Sequence, residues 1–284
     1  MLYVMISTRN SQQFTPIAVA SLKLHTPLSP GDIVVVIDND GALPDMDGVH
    51  VIRNDRPRSF AENANLAINL SHVTGHDLWL LNNDIVFTPN WLSHSFLDGQ
   101  SIIVPHCNQY AQYEYDGLEL RFSMDLEDLG GRFETLNRAA VAHAQRANGA
   151  IYSTSSLFIF YCVYLPHAAT KKIGHFDESF GKGGGEDVDY RLRAMDVGVD
   201  VKLAYPAYLL HFMGKSTWRS GEVSEETRER ELTYRTRFIA KWGTPLAEMF
   251  LSGGDKRTVA ARYGVLDSFE RADYPAIFQA LRDA

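Results

Sequence analysis

The amino-acid sequence predicts an α/β fold, with a mostly parallel central sheet flanked by helices. Short apolar and β-branched runs alternate with segments of helical periodicity, and the runs lie at residues 2–7, 33–37, 49–53 and 78–81. Continuous apolar strands of this kind are typical of parallel sheets that helices cover on both faces. Strands that alternate with helices also form right-handed βαβ units, which build such a sheet.

Start and stop signals place the helices. One helix is predicted to begin after Ser59, because Glu62 three residues later completes a capping box. Another begins at Pro166 and ends at Gly174, in keeping with the preference for proline at helix starts and glycine at helix ends. Further helices are predicted at residues 136–147, 188–198 and 224–242, strands at 157–165, 199–204 and 207–211, and a C-terminal helical extension at 244–284.

The composition is that of a globular chain, and it disfavours some classes of partner. Of the 284 residues, 45% are hydrophobic, and 35 acidic residues against 27 Lys and Arg give a net charge of −8. An acidic surface argues against a nucleic-acid backbone as the main partner, because that contact needs clustered basic charge. The two cysteines, Cys107 and Cys162, are too few for a disulfide framework or a cysteine-based metal site.

The same sequence gives no sign of membrane insertion or export. No apolar run approaches the roughly 18–20 residues that a transmembrane helix needs. The N-terminus lacks the basic, then apolar, then small-residue pattern of a signal peptide. We therefore expect a soluble, cytoplasmic protein.

Polar residues follow four of the predicted strands, at residues 8–10, 38–40, 54–56 and 82–84. Because ligands of open α/β sheets bind outside the carboxyl ends of the strands, these residues are expected to line a site. Asp84 could hold a divalent cation, which in turn binds phosphate. The alternative is that Asp84 and the preceding asparagines form a turn or cap a helix.

A glycine-rich loop precedes the helix predicted at residue 188. Three consecutive glycines, residues 183–185, lead directly into Glu186, Asp187 and Asp189. Glycines permit a close approach of the backbone to a ligand, and a carboxylate there could be the general base for a hydroxyl nucleophile. The alternative is that the acidic residues only stabilise the start of the helix through its macrodipole.

His211 ends the last predicted strand, and Lys215 follows four residues later. A neutral imidazole nitrogen can ligate a metal, although a histidine after a strand also serves structural roles. Lys215 could add positive charge near a phosphate group, and a solvated lysine is the alternative.

Taken in chain order, these segments resemble the GT-A glycosyltransferases of family 2, in particular their rhamnosyltransferase-like branch. The resemblance extends from residue 2 to about residue 242. The first motifs are Thr8 and Asn10, the Asp38-Asn39 pair, residues 59–65, and Leu81-Asn82-Asn83-Asp84. The later motifs are residues 174–180, residues 183–189, Arg191, Arg193, Gly198, His211 and residues 241–243.

The resemblance implies a set of residues around the base, ribose and diphosphate of a nucleotide sugar. Thr8, Asp38 and Asn39 would line the nucleobase and ribose pocket. Arg58 and Asn65 would lie near the nucleotide or its diphosphate. The full implied set is Thr8, Asp38, Asn39, Arg58, Asn65, Asn82, Asn83 and Lys215.

The resemblance also implies a metal site and a catalytic pair. Asp84 would bind Mn²⁺ or Mg²⁺, and His211 could complete the protein ligands. Asp187 would be the catalytic base of an inverting displacement, with Glu186 as the second catalytic residue. Asn82 stands where the family pattern has its first acidic residue, which leaves the site with one fewer negative charge. The acceptor would contact Gly184, Gly185 and Glu186.

These motifs predict a glycosyltransferase that moves a sugar from a nucleoside-diphosphate donor (UDP, dTDP or GDP) to the hydroxyl group of a glycan or another acceptor. A GT-A domain is expected at residues 1–243, with a nucleotide-sugar-binding half at 1–106 and an acceptor-binding, catalytic half at 107–243. The tail at 244–284 could mediate homo-oligomer formation. Acceptor recognition is placed in an irregular region that contains Tyr110, Tyr113, Tyr115 and Arg121.

Two other functions remain open at this stage, besides the alternative that the tail after Gly243 makes the chain primarily an assembly component. One is a nucleotide-sugar-binding protein without transfer activity, against which the intact Glu186-Asp187 pair argues. The other is a sugar nucleotidyltransferase. Such enzymes generally have a glycine-rich phosphate loop after the first strand, whereas residues 7–13 contain no glycine.

Overall fold

A β-sheet runs through the molecule, with helices packed against it. The computed structural model describes residues 1–8, 11–93, 97–108, 129–130, 132–147, 149–153, 160–212 and 223–282. Within these residues the sheet has nine strands. They are β1 (Leu2–Ser7), β2 (Ile33–Asp38), β3 (His50–Arg53), β4 (Leu78–Asn82), β5 (Ile85–Val86), β6 (Ile102–Cys107), β7 (Ile151–Ser153), β8 (Cys162–Leu165) and β9 (Val201–His211).

The helices predicted after Ser59 and between Pro166 and Gly174 follow their start and stop signals, whereas those predicted at 136–147 and 188–198 begin earlier, at Phe133 and Glu186. Ser59 Oγ accepts a hydrogen bond from Glu62 N, and Ser59 N donates to Glu62 Oε2, so the capping box is present. None of the helices in the described ranges combines the length and apolarity needed to cross a bilayer. In chain order they are α1 (Ser11–His25), α2 (Phe60–Thr74), α3 (Phe133–Ala147), α4 (His167–Ile173), α5 (Glu186–Asp196), α6 (Ser224–Leu246), α7 (Lys256–Arg262), α8 (Leu266–Glu270) and α9 (Tyr274–Arg282).

Parallel strands make up the N-terminal half of the sheet. The strand order is β3-β2-β1-β4-β8-β6-β9-β5, and β7 also pairs with β9. Strands β1 to β4 pair in parallel. β8 then runs antiparallel to both β4 and β6, while β6 and β9 are parallel. The predicted α/β fold class is confirmed, with strand directions that become mixed in the C-terminal half.

β9 corrects the prediction of two strands at residues 199–204 and 207–211. It pairs with β6 up to Pro105↔Ala204, and the pairing resumes at His106↔Tyr208. Residues 205–207 of β9 therefore have no counterpart in β6. Pro206 lies in this irregularity, where its missing amide hydrogen does not interrupt a regular ladder. A proline within an apolar run usually indicates a strand break, which is why the sequence suggested two strands.

The C-terminal tail shares a hydrophobic core with α5 and α6. Leu192 of α5 and Phe238 of α6 are buried among its apolar side chains. Trp242 packs edge-on against Phe278, with 5.8 Å between ring centroids. The buried tail residues are Leu246, Ala247, Met249, Phe250, Ala260, Val265, Ile277, Phe278 and Leu281. These side chains are therefore covered within this chain, and oligomer formation through the tail stays a prediction.

Lys241, near the end of α6, lies between two carboxylates. Its Nζ is 2.6 Å from Asp177 Oδ2 and 2.7 Å from Asp189 Oδ1. Asp189, on α5, is fully buried and also contacts Arg193 at 2.9 Å and Trp242 Nε1 at 2.8 Å. Burial alone would raise the pKa of Asp177, but the Lys241 ammonium and other hydrogen bonds outweigh it and lower that pKa to about 2. Lys241 and Trp242 thus join α6 to α5 through Asp189.

Replacement of Lys241 by methionine is expected to lower the free energy of unfolding by about 2 kcal/mol, because buried Asp189 loses one charged partner while two others remain. Chemical denaturation measures this change. The control is Arg138→Met, which removes an exposed pair of 3.8 Å with Glu134 and should leave stability unchanged. Equal effects of the two substitutions would contradict the structural role of Lys241.

Candidate active site

The polar ends of four strands meet at one edge of the sheet. Ser7 at the end of β1 pairs with Asp38 at the end of β2, and Ile6 pairs with Asn82 at the end of β4. Beyond Asn82 the chain enters β5, where Ile85 pairs with His211. The structure therefore brings the predicted strand ends into one neighbourhood.

Asp84 and His211 form a buried pair at this edge. Asp84 Oδ1 lies 3.4 Å from His211 Nε2, and the two side chains are 1% and 3% exposed. The backbones are joined as well, since Phe212 N donates to Asp84 O at 2.9 Å. Burial alone would lower the pKa of His211, but the Asp84 carboxylate outweighs it and raises the pKa to about 9.

This pair fits a divalent cation. Within the described part of the chain, neither ring nitrogen of His211 has a hydrogen-bond partner, although the ring is buried. Two neighbouring ligand atoms of one cation, each at about 2.1 Å from it, lie about 3 Å apart, close to the observed separation. The described residues contain no cluster of three or more His, Cys, Asp or Glu side chains suited to a metal. Phosphate and water oxygens are common ligands for the other positions of such an ion.

Two residues that the sequence did not single out contact His211. The Tyr161 ring stacks on the imidazole, with 4.8 Å between centroids and 20° between planes. Asn108 Oδ1 accepts from His211 N at 2.8 Å, and Asn108 Nδ2 donates to His211 O at 3.1 Å. Tyr161 lies in an apolar run that predicted only a strand, so its sequence context carries no signal of this role.

Arg58 is held by an amide cluster that consists of Asn39, Asn54 and Asn63. Asn39 Oδ1 accepts from Arg58 N at 2.8 Å, and Asn39 Nδ2 donates to Arg58 O at 3.1 Å. Asn54 Nδ2 donates to the side-chain oxygens of Asn39 and Asn63, both at 2.8 Å. The Arg58 guanidinium bonds Asp55 at 3.1 Å, while its buried Nε has no hydrogen-bond partner in the described residues.

Asp38 and Asn83 are buried, and their side chains form hydrogen bonds with other residues of the chain. The Asp38 carboxylate accepts three backbone N–H groups, from residues 41, 42 and 43, and so shapes the turn after β2. Asn83 Nδ2 contacts Thr15 Oγ1 at 3.2 Å and Ser7 Oγ at 3.5 Å. These bonds give both residues a structural role, and their contact with a nucleotide stays a prediction.

The remaining predicted donor residues differ in their surroundings. Asn65 bonds the backbone N and O of Phe176 and also Glu178 Oε1, so it ties α2 to the segment before α5. Thr8 and Asn82 are half-buried at the sheet edge. Lys215 lies outside the described residues, as do the four residues of the predicted acceptor region, Tyr110, Tyr113, Tyr115 and Arg121.

The glycine run packs closely against α6. The φ angles of Gly183, Gly184 and Gly185 are 141°, 117° and 82°, a region that side chains rarely adopt. A Cβ on Gly184 would overlap the ring of Tyr234, with 2.7 Å to its Cε1 atom. Only glycine therefore allows this approach at position 184, and Gly185 then caps the start of α5.

Glu186 and Asp187 begin α5 as adjacent carboxylates of raised pKa. Glu186 is 6% exposed and accepts a hydrogen bond from Gly184 N. Burial, and then the charge of Asp187, raises the pKa of Glu186 to about 7. Burial raises the pKa of half-buried Asp187 as well, against the opposing charge of Arg191. Proton-accepting groups near neutral pH are what general acid–base chemistry requires.

Residues 160 and 161 lie between the helix that carries the carboxylates and the Asp84–His211 pair. The Phe160 ring packs edge-on against Tyr190 of α5, with 6.2 Å between ring centroids. The next residue, Tyr161, stacks on His211, and its carbonyl oxygen accepts from Asn82 N at 2.8 Å. Two consecutive residues thus contact α5 on one side and the Asp84–His211 pair on the other.

The chain is similar to several solved structures. The chain matches the crystal structure of GalNAc-T7 with UDP, GalNAc and Mn²⁺ at a TM-score of 0.52 and 14% identity, over 95% of this chain and 56% of that one. The mannosyltransferase PcManGT from Pyrobaculum calidifontis, in complex with GDP-Man and Mn²⁺, matches at 0.47 and 12%, over 99% and 85%. S. aureus TarS 1-349 with UDP-GlcNAc matches at 0.49 and 15%, over 96% and 72%.

The similarity to GalNAc-T7 confirms the predicted GT-A fold and does not distinguish the rhamnosyltransferase-like branch. This chain spans just over half the length of that structure's chain. No protein-family model matches the sequence, and no curated protein matches it either.

The raised pKa of Glu186 predicts a pH-dependent stability. A carboxyl group whose pKa is higher in the folded state stabilises the fold most at low pH, and this contribution is lost as pH rises through about 7. When the pH rises from 5 to 8, the free energy of unfolding of Glu186→Gln should therefore fall by roughly 2 kcal/mol less than that of the unmodified chain. Denaturation with urea at both pH values measures the difference.

The matched control is Glu229→Gln, which changes an exposed carboxyl group on α6. It should follow the pH profile of the unmodified chain. A Glu186→Gln profile parallel to both would show that Glu186 is ionised in the fold throughout this range.

Proposed function

We propose that this chain is a glycosyltransferase, which transfers a sugar from a nucleoside-diphosphate donor to an acceptor hydroxyl group. One observation carries the proposal: a buried Asp84–His211 pair lies at the polar edge of the sheet, and residues 160 and 161 pack between it and α5, which begins with Glu186 and Asp187. The fold that holds them is shared with GalNAc-T7, which was crystallised with UDP, GalNAc and Mn²⁺.

The donor diphosphate would be bound beside Arg58. A guanidinium group is suited to phosphate oxygens, and the buried Nε of Arg58 offers a hydrogen-bond donor that no described residue uses. Asn39 would act through Arg58, because it bonds both the N and the O atom of that residue. Asp38 would shape the base and ribose pocket through the turn that its carboxylate holds. Thr8 would border the same pocket from the end of β1.

Asp84 and His211 would hold Mn²⁺ or Mg²⁺. The bound cation would neutralise charge on the departing diphosphate, a Lewis-acid contribution. Within the protein, Asp84 and His211 are already adjacent and buried, so little rearrangement is needed to present both to one ion.

Asp187 would act as the base in a single inverting displacement. Its carboxylate takes the proton of the acceptor hydroxyl while that oxygen bonds to the anomeric carbon, and the bond from this carbon to the diphosphate oxygen breaks. The raised pKa makes Asp187 a better proton acceptor than an exposed carboxylate. Glu186, half protonated near pH 7, would donate a hydrogen bond to the acceptor beside Gly184 and Gly185.

Titration calorimetry with UDP, GDP and dTDP, each with and without Mn²⁺, tests the donor site. We expect tight, Mn²⁺-dependent binding of one nucleotide. Asp187→Asn should retain that binding but lower turnover about 10²–10⁴-fold, the usual contribution of a general base. Turnover is followed as release of the nucleoside diphosphate from the matching sugar nucleotide, with a panel of hydroxyl acceptors.

The control is Asp267→Asn, an exposed carboxyl change on α8, which should leave binding and turnover unaltered. Failure of all three nucleotides to bind, with or without Mn²⁺, would refute the donor site. Near-normal turnover by Asp187→Asn would refute the base assignment alone.

A further inference from the structure

We infer that Tyr161 is a positioning residue that fixes the imidazole plane of His211 for cation binding. This inference rests on the proposed function, in which Asp84 and His211 are the protein ligands of the cation. It goes beyond that proposal because it assigns the geometry of the site to a residue that would touch neither cation nor substrate.

The imidazole of His211 needs an orienting contact. Metal-binding histidines usually donate the second ring N–H to a carboxylate, a carbonyl or water, which fixes the ring. In the described part of the chain neither His211 nitrogen makes a hydrogen bond. Asp84 Oδ1, at 3.4 Å from Nε2, and Cys107 lie near the edge of the ring. The face of the ring lies against Tyr161, stacked at 4.8 Å with planes 20° apart.

Two hydrogen bonds and burial hold Tyr161 in place. Its hydroxyl donates to Pro105 O at 2.6 Å, directly before the register shift between β6 and β9. Its carbonyl oxygen accepts from Asn82 N at 2.8 Å, which fixes it to the end of β4. The side chain is 1% exposed, so surrounding atoms restrict its rotation. The ring is therefore a fixed surface rather than an adaptable one.

Asn108 complements Tyr161 by holding a different part of His211. It bonds the backbone N and O atoms of His211 and therefore fixes where the residue lies along β9. These bonds leave rotation of the imidazole about its side-chain torsions unrestricted. Tyr161 restricts that rotation and aims a ring nitrogen towards Asp84.

The inference is tested by binding of Mn²⁺, measured by electron paramagnetic resonance, alone and with each of UDP, GDP and dTDP. Pulsed measurements detect the ¹⁴N coupling of a coordinated imidazole. Tyr161→Met keeps an apolar side chain but removes the flat ring. It should weaken Mn²⁺ binding about 10–100-fold, the usual cost of losing a residue that orients a ligand, and should diminish the ¹⁴N coupling.

Two variants make the comparison specific. Tyr161→Phe retains the ring and should restore both binding and coupling to nearly the level of the unmodified chain. Tyr164→Met removes another buried tyrosine, which packs on Trp79 with 5.5 Å between centroids, and should leave Mn²⁺ binding unchanged. Circular dichroism checks folding, and Tyr161→Leu replaces Tyr161→Met if the latter does not fold.

The outcomes separate this inference from the proposed function. Undiminished Mn²⁺ affinity and ¹⁴N coupling in Tyr161→Met, with loss of both in His211→Ala, would overturn the role of Tyr161 and leave the metal site intact. Equal weakening in Tyr161→Met and Tyr164→Met would overturn it too, since general destabilisation would then suffice. Absence of Mn²⁺ binding by the unmodified chain would overturn both proposals.

Discussion

The antiparallel insertion of β8 between β4 and β6 is the constraint on which the site depends. It joins the parallel N-terminal strands to the rest of the sheet, and the two residues before it contact α5, β4 and β9. The Phe160 ring packs on Tyr190 of α5, Tyr161 O accepts from Asn82 N, and the Tyr161 ring covers His211. A shift of β8 along β4 by one residue would remove both ring contacts, because it turns every side chain to the opposite face.

Three buried charged groups follow different physical rules. Asp189 is surrounded by cations and an indole N–H, so its charge is satisfied within the protein. Glu186 is buried and lies beside a like charge, and its pKa rises instead. The Asp84–His211 pair falls between these cases, since the two groups are 3.4 Å apart and, within the described residues, the buried ring nitrogens of His211 make no hydrogen bond of normal geometry. Charges that are fully paired stabilise the scaffold, whereas buried groups with perturbed pKa values are the usual candidates for chemistry.

Local signals in the sequence were enough for several elements and for their polar ends. The capping box at Ser59 and the strand β4 that ends at Asn82 depend on neighbouring residues only, and both are present. Partners distant in sequence could not be foreseen: Asn65 bonds Phe176, and Tyr161 meets His211, across separations that no periodicity encodes. β9 was divided wrongly, because Pro206 reads as a break unless the partner strand is known to shift register.

The shared core of α5 and the tail has a consequence for the order of events during synthesis. Leu192 of α5 is buried against side chains that include Met249 and Phe278, which follow it by about sixty to ninety residues. A chain that emerges from the ribosome N-terminus first can form the parallel strands early, but the apolar face of the helix that starts at Glu186 stays uncovered until those residues appear. The parallel strands can thus form before Glu186 and Asp187 reach their final positions, and an interrupted chain would have a formed sheet with an unsupported α5.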